Sequence, residues 1–249
     1  RRNLTEIAYE QEVLANYGAS EESVFQVKFV DQATYDEESL SEQGRLVTLD
    51  TIRANRRNYI ITMGVDWNSW KNGVNIAVHE YEHSSGISRL CHKVILDGDT
   101  FKDSSQKLQT TAVATIMDLV KAFDPVGLSV DAGYGSMQCE VLLSLLDKLD
   151  KSDILDIVDF SQFTEIQNPL DPSYPIKQKN KPLLVHLMQQ RLESGFFQYS
   201  TIEEGNLAQA DSNKKGLPYQ LDTYEISKYD SHGHPIFVSP CDHFLDANM

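Results

Sequence analysis

The pattern of apolar and polar positions predicts three consecutive strands in the middle of the chain. Residues 59–66, 75–82 and 90–96 are short apolar runs bounded by turn-forming residues, which is typical of strands. The segments between them, Lys71-Asn72-Gly73 and Ser84-Ser85-Gly86, carry the glycine and small polar residues of tight turns. The three strands are therefore predicted to form an antiparallel meander.

A helix, a strand and a second helix follow the meander. Apolar positions recur at helical spacing through 104–123, and Asp124-Pro125 ends that helix because proline disfavours a helical residue before it. Residues 126–131 form a short apolar run that ends in an acid, and 137–149 repeat the helical pattern. This order of elements is that of a ribonuclease-H-like α/β domain, with a mixed central sheet flanked by helices. The order alone is a fold-level analogy.

The two ends of the chain give weaker patterns. We interpret 1–57 as a linker or arm with a helix at 4–14 and a strand at 24–30, and we place the domain boundary before residue 58. The elements predicted in the last hundred residues are a solvated helix at 147–159, an exposed loop at 168–182, a helix at 183–194 capped by Gly195, a strand at 196–199, a helix at 217–228, a turn at 231–235, a strand at 236–238 and a helix beginning at Asp242.

Charge narrows the classes of partner. The chain has 22 basic and 37 acidic residues, a formal net charge of −15. This excess excludes a protein that grips nucleic acid over its whole surface, but it is compatible with divalent metals and a local contact with nucleic acid. Three widely spaced cysteines, Cys91, Cys139 and Cys241, do not form a disulfide framework. No apolar run reaches membrane-spanning length, so we expect no membrane partner.

Acids at the ends of predicted elements are the first candidates for chemistry. Asp66 and Asp131 each end a strand, and Asp246 lies in the last predicted helix. Hydrolysis of a phosphodiester needs an activated water and a stabilised leaving oxygen, which two divalent ions about 3.5–4 Å apart supply. Hard oxygen ligands hold such ions. An aspartate at a strand end is, however, often only a solvated side chain, so position alone does not decide.

The residues around these acids add a resemblance. Gly64-Val65-Asp66-Trp67, Ser129-Val130-Asp131-Ala132-Gly133-Tyr134-Gly135 and Asp242-His243-Phe244-Leu245-Asp246-Ala247 resemble, in order, the three nuclease motifs of viral, tailed-phage-type DNA-packaging terminase large subunits. The resemblance implies a C-terminal nuclease domain over 58–249, preceded at 1–57 by the tail of an ATPase domain. The ATPase itself is expected in a missing N-terminal part of a longer protein. The implied task is cutting concatemeric double-stranded DNA at the initiation and termination of packaging into procapsids.

The resemblance also implies residue roles. Asp66, Asp131 and Asp246 become ligands of two Mg²⁺ or Mn²⁺ ions. His243 lies one helical turn before Asp246 and ligates metal, orients water or holds a leaving oxygen. Asp242 is a rival for the third acid.

DNA contacts are expected at two places. Gly133 and Gly135 permit a tight backbone turn beside the site, and Tyr134 is either a DNA contact or a packing aromatic. The loop lysines Lys177, Lys179, Lys181, Lys214 and Lys215, with Arg53, Arg56 and Arg57, form a local positive face or are simply solvated. The family further implies a portal protein and a small terminase subunit as partners. It also implies a location at the procapsid portal in the host cytoplasm, and not in the mature virion.

Two histidine-containing motifs suggest zinc chemistry instead. His79-Glu80-Tyr81-Glu82-His83 is a literal match to the zinc-protease motif, whose chemistry requires a helix. The upstream sequence favours a strand, where the two histidines would lie about 13 Å apart. His232 and His234, with Cys241 and His243, are zinc-compatible types, although a polar turn before a helix explains them better. Two further classes of protein stay open, a junction-resolvase-like nuclease and a non-catalytic docking module.

Overall fold

The computed structural model describes residues 23–35, 59–68, 73–96, 98, 105–167, 173–200 and 217–249. Several predicted features lie outside these residues: the helix at 4–14, the turn residues Lys71 and Asn72, the arginines Arg53, Arg56 and Arg57, and the lysines Lys214 and Lys215.

The described elements follow one another in this order: α1 (Val27–Gln32), β1 (Thr34–Tyr35), β2 (Tyr59–Trp67), β3 (Val74–Glu82), β4 (Ser88–Leu96), α2 (Ser105–Phe123), β5 (Gly127–Asp131), α3 (Ser136–Asp147), a 3₁₀ turn (Ser152–Ile154), β6 (Leu155–Val158), β7 (Phe163–Ile166), β8 (Ile176–Lys179), α4 (Asn180–Glu193), β9 (Phe197–Ser200), α5 (Leu217–Asp222), β10 (Glu225–Tyr229), β11 (Pro235–Val238) and α6 (His243–Asn248).

Seven strands form the central sheet in the order β1-β9-β4-β3-β2-β5-β6. The predicted meander is confirmed, because β2, β3 and β4 pair antiparallel. β5 then pairs parallel to β2, and β6 parallel to β5. Two small antiparallel pairs, β7 with β8 and β10 with β11, lie outside this sheet. The mixed sheet with helices on its faces confirms the predicted ribonuclease-H-like α/β architecture.

Different helices pack on the two faces of the sheet. Side chains alternate along β2, so Ile61, Met63 and Val65 enter a core built with α2 and α3. The opposite face packs against α4, α5 and α6 in a second core, which includes Ala77 of β3 and Phe197 of β9. The even-numbered residues of β2 consequently face α6.

The described part of the predicted arm joins this second core. Val24, Phe25, Val30 and Ala33 are buried in it, and β1 pairs with β9. The predicted strand at 24–30 is wrong, because α1 occupies that segment and buries Val30 and Ala33 at helical spacing. The domain boundary before residue 58 stays a prediction, since 36–58 lie outside the described residues.

Three later predictions also need correction. The acidic segment 147–159 is not one helix, because it contains the 3₁₀ turn and the edge strand β6. The exposed loop predicted at 168–182 contains β8 and the first turn of α4, where Pro182 is tolerated because first-turn N–H groups need no helical partner. The helix predicted at 217–228 ends as α5 at Asp222 and gives way to β10.

None of the described helices combines the length and the apolar character that crossing a membrane requires.

Candidate active site

Asp66 and Asp131 lie side by side at one edge of the central sheet. Val65 of β2 is opposite Val130 of the parallel strand β5, so the next residue of each strand is an aspartate at its C-terminal end. Asp66 is only 4% exposed, and the Asn68 side-chain amide donates to its Oδ2 at 2.5 Å. The sequence therefore placed these two acids correctly at adjacent strand ends.

The pKa of the Asp131 carboxyl is raised above its ordinary value. Burial raises the pKa of Asp131, and the charge of Asp66 raises it further. A hydrogen bond from the backbone N–H of Gly133 and the charge of Lys181 act in the opposite direction but do not outweigh burial. Two adjacent desolvated carboxylates are costly together, and a bound cation relieves that cost.

The turn after β5 approaches Asp131 and Trp67 too closely for side chains at its glycines. A Cβ atom on Gly133 would lie 2.7 Å from Oδ2 of Asp131. A Cβ atom on Gly135 would lie 2.0 Å from Cδ1 of the buried Trp67. Tyr134 between them is 69% exposed, so it is not a packing aromatic. Its assignment as a DNA contact stays a prediction.

The third acidic element is α6, which brings His243 and Asp246 to the same place. Nδ1 of His243 lies 3.4 Å from Oδ2 of Asp66 and 3.9 Å from Oδ1 of Asp242. Burial by itself lowers the pKa of the His243 imidazole. The hydrogen bond to Asp66 and the charges of Asp242 and Asp246 outweigh burial and raise the pKa above its ordinary value.

The two rival acids of α6 differ in burial. The Asp246 side chain is 11% exposed and the Asp242 side chain is 31% exposed. Burial raises the pKa of Asp246 to about 7, and the charges of Asp242 and Asp66 contribute to the rise, although Lys181 opposes it. Asp246 is thus the more desolvated carboxylate, facing the acids of the sheet.

Lys181 is a member of this acid cluster. It lies in the first turn of α4, and its ammonium group contacts the Asp246 carboxylate and stands 3.8 Å from Oδ2 of Asp242. The ring of Phe160 lies 4.7 Å from the ammonium nitrogen and the ring of Tyr224 lies 5.8 Å from it. The sequence predicts Lys181 as a DNA contact or a solvated loop lysine and not as a partner of these acids, because they are about 60 positions or more away.

The donor chemistry of the site fits a hard divalent cation. Asp66, Asp131, Asp242 and Asp246 supply carboxylate oxygens, and His243 supplies an imidazole. Burial raises the pKa of Asp131 and Asp246, and the charge of neighbouring acids adds to the rise. Cations relieve that charge, and one fixed cation, Lys181, already lies against Asp246 and Asp242. As the side chains stand, no group of three His, Cys, Asp or Glu residues within the described ranges is arranged to hold a metal ion. Both Asp246 oxygens are hydrogen-bonded to Lys181 in this arrangement.

Lys179 lies outside the acid cluster. Its ammonium group forms an ion pair with Asp230 at 2.6 Å, which joins β8 to the end of β10. The ring contact between Phe163 and His234, with centroids 6.1 Å apart, joins the same two strand pairs. Lys179 therefore links the two small sheets, and its contact with DNA stays a prediction.

The zinc-protease hypothesis is wrong. His79 and Glu80 lie on β3, and on a strand they face opposite sides of the sheet. His79 is buried against α6, whereas Glu80 forms a buried ion pair with Arg89 at 3.1 Å. His83 lies in the exposed turn after β3. The three residues do not converge on one ion.

The second histidine set is a turn, as favoured from the sequence. Oδ1 of Asp230 accepts hydrogen bonds at 2.9 Å from the backbone N–H groups of His232 and His234. Cys241 lies near the Gln220 amide, 3.6 Å from its nitrogen, and His243 faces Asp66 instead. These residues serve three separate local structures.

The central sheet and its helices form a ribonuclease-H-like α/β fold, with aspartates at the adjacent ends of β2 and β5. No protein-family model and no curated protein matches the sequence. Among solved structures, the large terminase of the thermophilic bacteriophage D6E is similar in fold, with a TM-score of 0.58 at 12% identity over 99% of this chain and 48% of that chain. A second crystal form of the D6E protein gives a TM-score of 0.53 at 12% identity, covering 99% of this chain and 50% of that one.

A further similar structure is the large terminase nuclease of the thermophilic phage G20c, with a TM-score of 0.44, 12% identity, and coverage of 77% of this chain and 80% of that chain. The chain spans about half the length of the D6E terminase. The similarity to the D6E large terminase confirms the resemblance to viral large terminases at the level of the fold.

Proposed function

We propose that this chain is the nuclease domain of a viral large terminase, a metal-dependent endonuclease that cuts concatemeric double-stranded DNA at the initiation and termination of genome packaging. The observation that carries the proposal is the meeting of three acids, Asp66, Asp131 and Asp246, at one edge of a sheet. The similarity in fold to a phage large terminase over 99% of the chain supports it.

The acids Asp66, Asp131 and Asp246 would hold two Mg²⁺ or Mn²⁺ ions, with Asp242 at the more exposed side of the same cluster. When bound, such ions supply an activated water and stabilise the leaving oxygen of the phosphodiester. The remaining chemistry falls to the chain's own side chains.

Three side chains besides the acids have defined tasks in this proposal. His243 holds a proton at Nδ1 against Asp66, and this contact fixes the orientation of its ring. Lys181 places a fixed positive charge beside Asp246, where it attracts a phosphate and balances the acids. Tyr134, exposed next to Asp131, contacts the DNA strand that enters.

The partners follow from the same proposal. Double-stranded DNA is the substrate, and a portal protein and a small terminase subunit assemble with the whole protein at the procapsid in the host cytoplasm. ATPase activity belongs to a different part of that whole protein. The net charge of −15 means that DNA is held at the site locally and not by the general surface of this domain.

A plasmid-cleavage assay tests the proposal. The 249-residue chain is incubated with supercoiled plasmid and Mn²⁺, with and without EDTA, beside Asp66→Asn and Asp131→Asn. We expect wild type to nick and linearise the plasmid only with metal, and both variants to lose cutting. Asp118→Asn, an exposed acid on α2, is the matched control and should cut normally.

Other outcomes assign the chain elsewhere. Cutting confined to four-way junctions would indicate a junction-resolvase-like nuclease. An intact plasmid together with no Mn²⁺ binding in calorimetry would indicate a non-catalytic docking module. Equal cutting by wild type and both variants would show that the acid edge is not the active site.

A further inference from the structure

The third acid is carried by a helix too short to hold its own orientation. α6 has six residues, and isolated helices of that length are unstable in water. Its packing on β2 and β3 must therefore determine where Asp246 points. Besides the contacts of His243 and Asp246 described above, α6 is held near its beginning, in its body and at its end.

The contact near the beginning of α6 comes from Gln220 of α5. Gln220 is 2% exposed, and its Oε1 accepts a hydrogen bond at 2.8 Å from the backbone N–H of Leu245. This N–H lies in the first turn of the helix, where no helical acceptor is available. Gln220 thus satisfies a buried donor and anchors α6 to the second core.

The body of α6 lies directly on β2. A Cβ atom on Gly64 would lie 2.0 Å from the carbonyl oxygen of Ala247, so the helix backbone touches the strand where only glycine fits. Gly64 is two residues before Asp66, on the same face of β2. The close approach therefore sets the distance between the helix and the acids of the sheet.

The contact at the end of α6 comes from His79 of β3. Nε2 of His79 lies 2.9 Å from Oδ1 of Asn248, and the imidazole is 7% exposed. Burial lowers the pKa of His79 to about 4, so the ring is neutral at neutral pH and donates from Nε2 to the amide oxygen. Thr62 of β2 is opposite His79, which places this contact on the same face as Gly64 and Asp66.

We infer that His79 is a positioning residue of the nuclease site, which holds the end of α6 so that Asp246 is presented beside Asp66. The inference rests on the function proposed above. Asn248 is two residues beyond Asp246, a rise of about 3 Å along the helix, so a shift at Asn248 displaces the carboxylate. His79 therefore has a role in this fold other than the zinc binding that its sequence motif suggests.

The test compares four variants of the 249-residue chain: His79→Leu, His79→Gln, His83→Leu and Leu146→Ala. Glutamine can place an amide N–H where Nε2 lies, whereas leucine cannot donate. His83 belongs to the same motif but lies in an exposed turn, and Leu146 is fully buried at the far end of α3. Mn²⁺ affinity is measured by calorimetry, kcat and KM by plasmid cleavage, and Tm by circular dichroism.

We expect His79→Leu to weaken Mn²⁺ binding and to lower kcat by about tenfold each, as for other residues that orient metal ligands. KM for DNA should change by less than about twofold, because His79 lies beneath α6 and away from the entering strand. His79→Gln should recover most of the loss, and His83→Leu should behave as wild type. Leu146→Ala should lower Tm through its cavity without changing Mn²⁺ affinity.

Two results overturn the inference: wild-type Mn²⁺ affinity and kcat in His79→Leu, or an equal loss of Mn²⁺ affinity in Leu146→Ala, which would reduce the effect to general destabilisation. If His79→Leu does not fold, Asn248→Ala removes the same hydrogen bond and should give the same kcat and affinity losses. Wild-type kcat and Mn²⁺ affinity in Asn248→Ala would then overturn the inference. A wild-type chain that neither binds Mn²⁺ nor cuts contradicts the proposed function instead.

Discussion

The ammonium group of Lys181 contacts both carboxylate oxygens of Asp246, although 65 positions separate the two residues in the sequence. The contact joins the first turn of α4 to α6 beside the acids of the sheet. A buried carboxylate with several like charges around it needs such a partner. The pair therefore bears directly on the chemistry of the site.

Removing the cation from this pair should impair cleavage. We expect Lys181→Met to lower kcat for Mn²⁺-dependent plasmid cleavage by about 100-fold, because a fixed charge aimed at the reacting phosphate is lost. Lys148→Met changes an exposed lysine at the end of α3 and should cut normally. Normal cleavage by Lys181→Met would show that the salt bridge is only structural.

The two acids of α6 can be ranked by substitution. Asp246→Asn should lower cleavage by more than about 100-fold, whereas Asp242→Asn should cost about tenfold or less, within the range of groups that act through a ligand. The reason is burial, since the Asp246 side chain is 11% exposed and the Asp242 side chain is 31% exposed. Calorimetric Mn²⁺ affinity should follow the same order. The reverse order would make Asp242 the third acid.

Gly64 should not tolerate a methyl group. Gly64→Ala places a Cβ atom 2.0 Å from the carbonyl oxygen of Ala247, and backbone cannot rotate away, so α6 must move. We expect a loss of about 1–3 kcal/mol in the free energy of unfolding together with weaker Mn²⁺ binding. Gly127→Ala is the control, because its Cβ meets only a Thr62 methyl group at 3.9 Å. Equal behaviour of the two variants in urea denaturation and calorimetry would contradict this explanation.

The buried ion pair between Glu80 and Arg89 should affect the stability of the fold and not catalysis. Glu80 is 1% exposed, and burial raises its pKa although Arg89 opposes the shift. Arg89→Met leaves this carboxyl buried without its cation and should cost about 3–5 kcal/mol in urea denaturation. The double variant with Glu80→Gln should recover part of that loss. A fully folded Arg89→Met of wild-type stability would refute the prediction.

His79 should make the fold sensitive to acid. Its folded pKa of about 4 lies below the ordinary value of 6.5, so the folded chain binds fewer protons than the unfolded chain between these values. The free energy of unfolding is therefore independent of this histidine above pH 6.5. It falls by roughly 3 kcal/mol as the pH decreases from 6.5 towards 4, because only the unfolded chain takes up the proton. Urea denaturation of wild type and His79→Gln across this window isolates the effect, since the two proteins share every other titrating group. Parallel curves for the two proteins would contradict it.

The centre of the fold was predictable because burial shapes its sequence. β2, β3 and β5 lie inside the sheet, and their apolar runs appear directly in the sequence. The prediction of helix at β6 was wrong because β6 is an edge strand with Asp156 and Ile157 exposed, so alternation is absent. The same error at β10 arose because only Ile226 of its five residues is partly buried, which gives no strand signal after α5.

The site was predictable only in part, for a related reason. The motifs around Asp66 and Asp131 are local, and each acid simply follows a buried strand. The contribution of Lys181 depends on α4 meeting α6, which no local pattern encodes. The same holds for His79. Its neighbours in the sequence match a protease motif, whereas its hydrogen-bond partner in the fold is Asn248 of α6.

The dependence of the site on α6 has a consequence during synthesis. Asp66 and Asp131 leave the ribosome early, whereas Asp246 follows 115 positions after Asp131, on the order of 10 s later at ordinary elongation rates. A nascent chain that ends before α6 therefore holds only two of the three acids of the proposed site. If the proposed function is right, nuclease competence arrives only when α6 has been made and docked, and incomplete chains do not cut DNA.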